Sequence, residues 1–141
     1  MQTRNKKNSL NSLLADVSPV KRVFSFAYFE RLHTRSDFGV VFKDGLRLES
    51  KNIRILAYKR NDERTVKRLG LVTPKRVGAS VVRNRIKRKL REIFRTSKHL
   101  FVPGLDLIFI SKPETVLLCY SDLKKDILDL LRKFNLCTNL E

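Results

Sequence analysis

Apolar positions recur along this chain with two different periods, and the switches between them divide it into elements. Phe38, Val41 and Phe42 fall at i, i+3 and i+4. With Ser36 as N-cap, Asp37 at the positive end and Gly45 as the stop, they predict a short helix. Over residues 53–58 the period is two: Ile53, Ile55 and Ala57 face one way, Arg54, Leu56 and Tyr58 the other. Residues 69–73 read as a second strand. The polar link 59–67 carries an Asn61-Asp62 turn signal, so the simplest pairing of these two strands is an antiparallel hairpin with a long loop. Pro74 and Gly78 bracket a turn, after which the period becomes helical. Val82, Ile86, Leu90, Ile93 and Phe94 lie within one sector of roughly 120° around a helix axis, a core-facing stripe. Residues 105–110, apolar except for Asp106, read as a final strand. Leu123, Ile127, Leu130, Leu131 and Phe134 then repeat at helical spacing, with Ser121 as the candidate cap.

Three helices and a small mixed sheet make an α+β protein, a two-layer α/β sandwich, with a further strand expected from the region of Phe24 or of Val116. The length of 141 residues suits one core. Residues 1–25, rich in Asn, Ser, Lys and Arg, read as a flexible basic tail, residues 26–136 as the single domain and residues 137–141 as a short C-terminal tail.

Charge changes the picture more than composition does. Lys and Arg number 31 against 14 Asp and Glu, a formal net charge of +17, so the folded surface repels itself unless an external polyanion neutralises it. No apolar run approaches the length of a membrane span, and the Leu13-Leu14-Ala15 stretch is too short for an export signal, which points to the cytoplasm. Cys119 and Cys137 fit no zinc or redox spacing and read as small apolar residues. His33 and His99 stand apart from any second ligand. Paired carboxylates for two-metal chemistry and a His–carboxylate constellation are both missing, so no catalytic and no metal-binding residues are assigned.

The excess charge is concentrated in residues 75–95, where Lys75, Arg76, Arg83, Arg85, Lys87, Arg88, Lys89, Arg91 and Arg95 meet a single acid, Glu92. Surface helices that are merely soluble mix signs at i±3 and i±4, and this one does not. In projection Asn84, Arg88, Arg91 and Arg95 oppose the apolar stripe, with Arg83 and Lys87 on one flank and Arg85 and Lys89 on the other. Guanidinium forks grip phosphate or stack on bases, and Asn84 adds a neutral donor and acceptor, so a nucleic acid fits this face better than a small anion.

The run Lys75-Arg76-Val77-Gly78-Ala79-Ser80-Val81-Val82-Arg83-Asn84-Arg85-Ile86-Lys87-Arg88-Lys89-Leu90-Arg91-Glu92 closely resembles the signature of the bacterial ribonuclease P protein component. Arg31-Leu32, Asp37-Phe38, Val41-Phe42-Lys43, Gly45, Gly70-Leu71-Val72, Asp106-Leu107-Ile108-Phe109-Ile110 and Asp122-Leu123 extend the resemblance, in order, over about residues 29–134. The resemblance implies an accessory subunit of an RNA enzyme: the protein binds a catalytic RNA, and the pair removes the 5′ leader of precursor tRNA with magnesium held by the RNA. It further implies a left-handed crossover joining two parallel strands. Matched position by position, Arg83, Asn84, Arg85, Lys87, Arg88, Lys89 and Arg91 face the catalytic RNA. Phe38 and Phe42 border a leader cleft, with Lys43, Tyr58, Lys75 and Arg76 beside them. By spacing alone, Phe38 and Phe42 equally suit core packing.

The chain departs from the family pattern at Ile53, where an aromatic is frequent on the cleft strand, at Thr73-Pro74 in place of a Val-Ser pair, at Ala79-Ser80 in place of Asn-Ala, and in its long N-terminal extension. The expected partners are the ribonuclease P RNA and the precursor tRNA leader, with the protein monomeric before assembly and no membrane involved. A structural or ribosome-associated RNA-binding protein without a processing role is the alternative; a nuclease acting without RNA is a third.

Overall fold

A computed structural model describes residues 26–138, and the N-terminal tail expected over residues 1–25 lies outside it, as does Phe24. The order is α1 (Arg35–Asp44), β1 (Leu46–Glu49), β2 (Ile53–Lys59), β3 (Arg68–Val72), α2 (Ser80–Ser97), β4 (Leu105–Ser111) and α3 (Tyr120–Lys133). Short 3-10 turns at Tyr28–Glu30, Lys75–Val77, Lys98–Leu100 and Pro113–Leu117 connect them. The strands form one mixed sheet ordered β1-β2-β4-β3, so the fold is the expected α+β arrangement of three helices and a small sheet.

The expected hairpin does not form. β4 lies between β2 and β3, antiparallel to β2 (Leu56 opposite Ile108) and parallel to β3 (Gly70 opposite Ile108). The run Leu105-Asp106-Leu107-Ile108-Phe109 is buried throughout, which is what a central strand covered on both faces requires. A hairpin would have left that run at an edge. The hairpin present joins β1 to β2, with Leu48 opposite Ile55. Ser50 closes it, its Oγ accepting from the Asn52 and Ile53 amides at 3.1 and 3.2 Å and donating to Asp126 Oδ2 of α3 at 2.6 Å. β1 is therefore the additional strand; the Val116 region is a 3-10 turn. Leu46 and Leu48 do alternate with Arg47 and Glu49, but four residues directly after a helix stop carry too short a pattern to declare themselves.

Two helix starts also move. Thr34 caps α1, accepting the Asp37 amide on Oγ1 at 2.9 Å, two residues before Ser36. α3 starts at Tyr120 with Cys119 as N-cap, two residues before Ser121 could act as one, and the Tyr120 hydroxyl hydrogen-bonds Thr96 of α2 at 3.2 Å. Of the α3 stripe, Leu123, Ile127 and Leu131 are buried together with Leu128, while Phe134 falls at the C-cap and is 38% exposed. Cys137 and Thr138, expected to begin a tail, are held to the body: Cys137 bridges Phe101, and the Thr138 amide donates to the Leu100 carbonyl at 2.6 Å.

Alternation sorts the sheet into two faces. Leu48, Ile53, Ile55, Leu69, Leu107 and Phe109 point toward α2 and α3, where Ile86, Leu90, Ile93, Phe94, Leu123 and Ile127 complete the main core. On the other face Leu56 and Ile108 pack with Leu32 and with Val41 of α1 in a smaller cluster. Ile53 is thus fully buried in the main core, and its lack of an aromatic ring removes nothing from the α1 face.

Candidate nucleic-acid interface

α2 turns one side into the core and presents another chemistry outward. Ile86, Leu90, Ile93 and Phe94 are buried, whereas Asn84, Arg85, Arg88 and Arg91 are exposed. Arg83, Lys87 and Lys89 on the flanks are half-buried, and two of them are already engaged. Arg83 donates from Nε to the Gly78 carbonyl and from Nη2 to Ser80 Oγ, both at 3.1 Å. Lys89 Nζ donates to the Leu118 carbonyl at 3.1 Å. Gly78 sits at φ +156°, ψ −173°, a conformation essentially reserved for glycine, and this bend aims its carbonyl at Arg83. Ala79, the N-cap, offers no side-chain cap, so the first amides of α2 lack one.

The helix's acid, Glu92, is taken by Arg95, whose hydrogen bond holds the carboxyl below the ordinary glutamate value. Arg85, Lys87, Arg88 and Arg91 make no ion pair among the described residues. Arg85 with Lys89, and Lys87 with Arg91, are like-charged i,i+4 neighbours, each costing the free helix a few tenths of a kcal/mol. A bound polyanion converts those repulsions into attractions.

The second candidate surface lies on the α1 face. α1 crosses one end of the sheet: Asp37 meets Arg68 of β3 (3.6 Å), Phe38 lies over Gly70, and Gly45 arrives at the Ala57 carbonyl. Gly70 is required there, since a Cβ would stand 2.5 Å from the Phe38 ring. Beyond α1 the floor continues as half-buried Val72, Ile110 and Arg54, and the Lys75–Val77 turn leaves the end of β3 with Lys75 and Arg76 exposed. The result is an open groove beside α1, floored by Val72 and Ile110 with Arg54 beside them and with Lys75 and Arg76 at its end.

The structure separates the Phe38–Phe42 pair. Phe38 and Tyr58 are half-buried and pack against the small cluster, Phe38 over Gly70, whereas Tyr58 lies opposite Asp106 and lines a pocket with Asp37, Val40 and Arg68, away from Val72 and Ile110; Phe42 is 52% exposed and Lys43 exposed. Pro74 does not weaken the turn, because its carbonyl, which accepts the Val77 amide at 3.0 Å, is what the turn uses.

Sequence reasoning overlooked the charged clamp that seats α1. Asp106, 2% exposed, receives Arg60 Nη1 at 2.5 Å and a two-pronged contact from Arg68 at 2.9 and 2.7 Å, and Arg68 reaches on to Asp37. The hydrogen bonds that Arg68 donates to the Asp106 carboxylate raise the Arg68 pKa above the ordinary arginine value. Arg60 also donates to the Val66 carbonyl at 2.6 Å, fastening the link between β2 and β3. The signal was present: an acid inside an otherwise apolar strand requires a buried partner. At the other end Lys112 and Arg54 hold the Glu49 carboxyl down to about 2. Among the described residues no three His, Cys, Asp or Glu side chains cluster as a metal site, and no helix is long and apolar enough to cross a membrane.

The sequence profile of the Ribonuclease P family matches residues 26–135. The chain belongs to that family. It is 37% identical to the ribonuclease P protein component of Finegoldia magna, over 73% of this chain and 88% of that protein. The corresponding protein of Petrotoga mobilis is also 37% identical, over 77% and 94%. The solved ribonuclease P protein of Thermotoga maritima superposes with a TM-score of 0.65 at 30% identity, covering 74% of this chain and 96% of that one. A Staphylococcus aureus ribonuclease P protein at 22% identity shares the fold, with a TM-score of 0.69 over 77% and 98%. As a ribonuclease P protein the chain is an accessory subunit of an endoribonuclease, and its matched region spans both α2 and the groove.

Proposed function

We propose that this subunit binds the catalytic RNA of ribonuclease P through α2 and the 5′ leader of precursor tRNA in the groove beside α1. It thereby promotes hydrolytic removal of the leader in the cytoplasm. The observation that carries the reading is the one-sidedness of α2: Arg85, Lys87, Arg88 and Arg91 lack acid partners among the described residues while the opposite stripe is fully used in the core. Asn84, exposed among them, offers an amide to sugar or base edges, and Arg83 and Lys89, each anchored to a backbone carbonyl through one N–H, keep further donors for phosphate. A leader of arbitrary sequence needs stacking and phosphate contacts rather than base-edge readout. Phe42 supplies an open ring, Phe38 the wall, Tyr58 a further ring at the clamp end of α1, and Lys43, Lys75 and Arg76 the charge. In this reading the RNA performs the chemistry and holds the magnesium, the protein holds no metal, and it is monomeric until it meets the RNA.

Cleavage of a 5′-labelled precursor tRNA at low magnesium tests this, with protein alone, a bacterial ribonuclease P RNA alone, and both. Cleavage at the leader junction is expected only with both. Tight RNA binding without any gain in cleavage would instead favour a structural or ribosome-associated RNA binder.

A further inference from the structure

Residues 26–33 form a strap along the outer edge of β3. Arg31 makes a parallel bridge to Leu69, and the Leu32 amide donates to the Leu69 carbonyl at 3.0 Å. Glu30 anchors the strap from beneath: its Oε1 accepts the Ala27 amide at 2.7 Å, and its Oε2 meets Lys98 Nζ at 2.5 Å in a buried ion pair. Held in this way, the strap turns its neighbouring rings outward. Tyr28 is 75% exposed and Phe29 66%. Tyr28 is covered on one face only, by the His33 ring at a centroid distance of 3.8 Å and an interplanar angle of 20°, and His33 Nε2 donates to the Tyr28 carbonyl at 2.7 Å. Adjacent open rings on a pinned segment mark a contact surface rather than a stray exposed residue.

Phe29 also forms one wall of a cavity of about 340 Å³, completed by Glu30, Thr65, Val66, Lys67, Lys98 and His99. That is the size class of small-molecule sites. Glu30 is engaged by Lys98, so the half-buried Lys67 makes no ion pair among the described residues and receives only the more distant pull of the Glu30 charge. Burial first, and the Lys98 charge second, push the Lys67 pKa below the ordinary lysine value, an unfavourable state that an arriving anion relieves.

We propose that this cavity takes one unpaired nucleotide of an RNA strand, with its base against Phe29 and its phosphate on Lys67, and that Tyr28 stacks the neighbouring base. An aromatic wall beside an ammonium that makes no ion pair among the described residues is the pairing that single-stranded nucleic acid recognises. A second copy of the chain suits the surface less, because both copies carry the same +17 charge. The site shares no residue with the outward face of α2 or with the groove. It adds a third contact to the proposed function and rests on that reading only for RNA as the partner.

The test is titration of the full chain into a fluorescently labelled oligoadenylate over a salt series, with Phe29→Ala, Phe29→Tyr and Lys67→Met. Because the Phe29 ring is mostly exposed, folding by circular dichroism should be unchanged. Phe29→Ala should bind about tenfold more weakly and Phe29→Tyr like the parent. Lys67→Met should reduce the slope of log affinity against log salt by about 0.7. Parent-like binding by Phe29→Ala overturns the site, as does a variant that changes only self-association in sedimentation. Precursor cleavage with the catalytic RNA separates the two readings. Normal cleavage by the parent with no Phe29 effect removes only the third contact, whereas Phe29-dependent binding without cleavage removes only the processing role.

Discussion

Under α2 and α3, Leu69, Leu107 and Phe109 meet Ile86, Leu90, Leu123 and Ile127 in a continuous apolar cluster, while under α1 the contact of Val41 with Leu56 and Ile108 is small and flanked by the charged clamp of Asp106, Arg60 and Arg68. One face is closed; the other is covered at one end only and continues as an open floor. The difference teaches how a small domain divides labour. Non-directional burial of about 1.5 to 3 kcal/mol per large side chain suffices to hold α2, so the outward side of that helix can be filled with charge that the fold does not need. On the α1 face, directional ion pairs hold the first turn of α1 through Asp37, and a groove is left beside the helix.

Breaking the clamp is the harshest intervention. Asp106→Ala leaves Arg60 and Arg68 without their buried partner and should cost about 3 to 5 kcal/mol in urea unfolding. A loss under 1 kcal/mol would mean that solvent already reaches the pair. Leu90→Ala, at the centre of the closed face, should cost about 2 to 5 kcal/mol from lost burial and the cavity left behind, with little specific effect on leader discrimination once corrected for unfolded protein. Gly70→Ala sharpens the contrast, because the new Cβ meets the Phe38 ring. About 1 to 3 kcal/mol of overpacking should come with a weaker preference for precursor over mature tRNA. Smallest is a pH effect. Glu49 has a carboxyl lowered from 4.5 to about 2 in the fold, so the stability that Lys112 and Arg54 lend it is fully present above about 4.5 and fades as pH falls toward 2. Glu49→Gln should therefore flatten the stability profile between pH 5 and pH 3 in urea titrations run at each pH, and an unchanged profile would place the acid sensitivity elsewhere.

The closed face was the legible one. Val82, Ile86, Leu90, Ile93 and Phe94 announce α2 because a helix packed on one side imposes a period on its own sequence, and 105–110 announces β4 because a strand buried on both faces is apolar at every position but Asp106. What stayed hidden depends on partners distant along the chain. No local period says that β4 separates β2 from β3, that Arg60 and Arg68 converge on Asp106, or that Gly70 is empty to admit Phe38. The candidate site divides in the same way. The exposed Arg85, Arg88 and Arg91 could be read from helical geometry, whereas the engagement of Arg83 and Lys89 with backbone carbonyls, and the opposite fates of Phe38 and Phe42, required the tertiary structure.

The division of labour between α2 and the groove is the central claim, and the affinity of the protein for the ribonuclease P RNA over a salt series measures it most directly, with Arg85→Ala and Phe42→Ala beside the parent. Arg85→Ala should lower the log–log salt slope by about 1 while its stability stays within about 0.5 kcal/mol of the parent. Phe42→Ala should leave the slope unchanged and weaken only the binding of leader-bearing precursor to the assembled enzyme. Equal losses in the two variants, or a parent-like slope for Arg85→Ala, would contradict it.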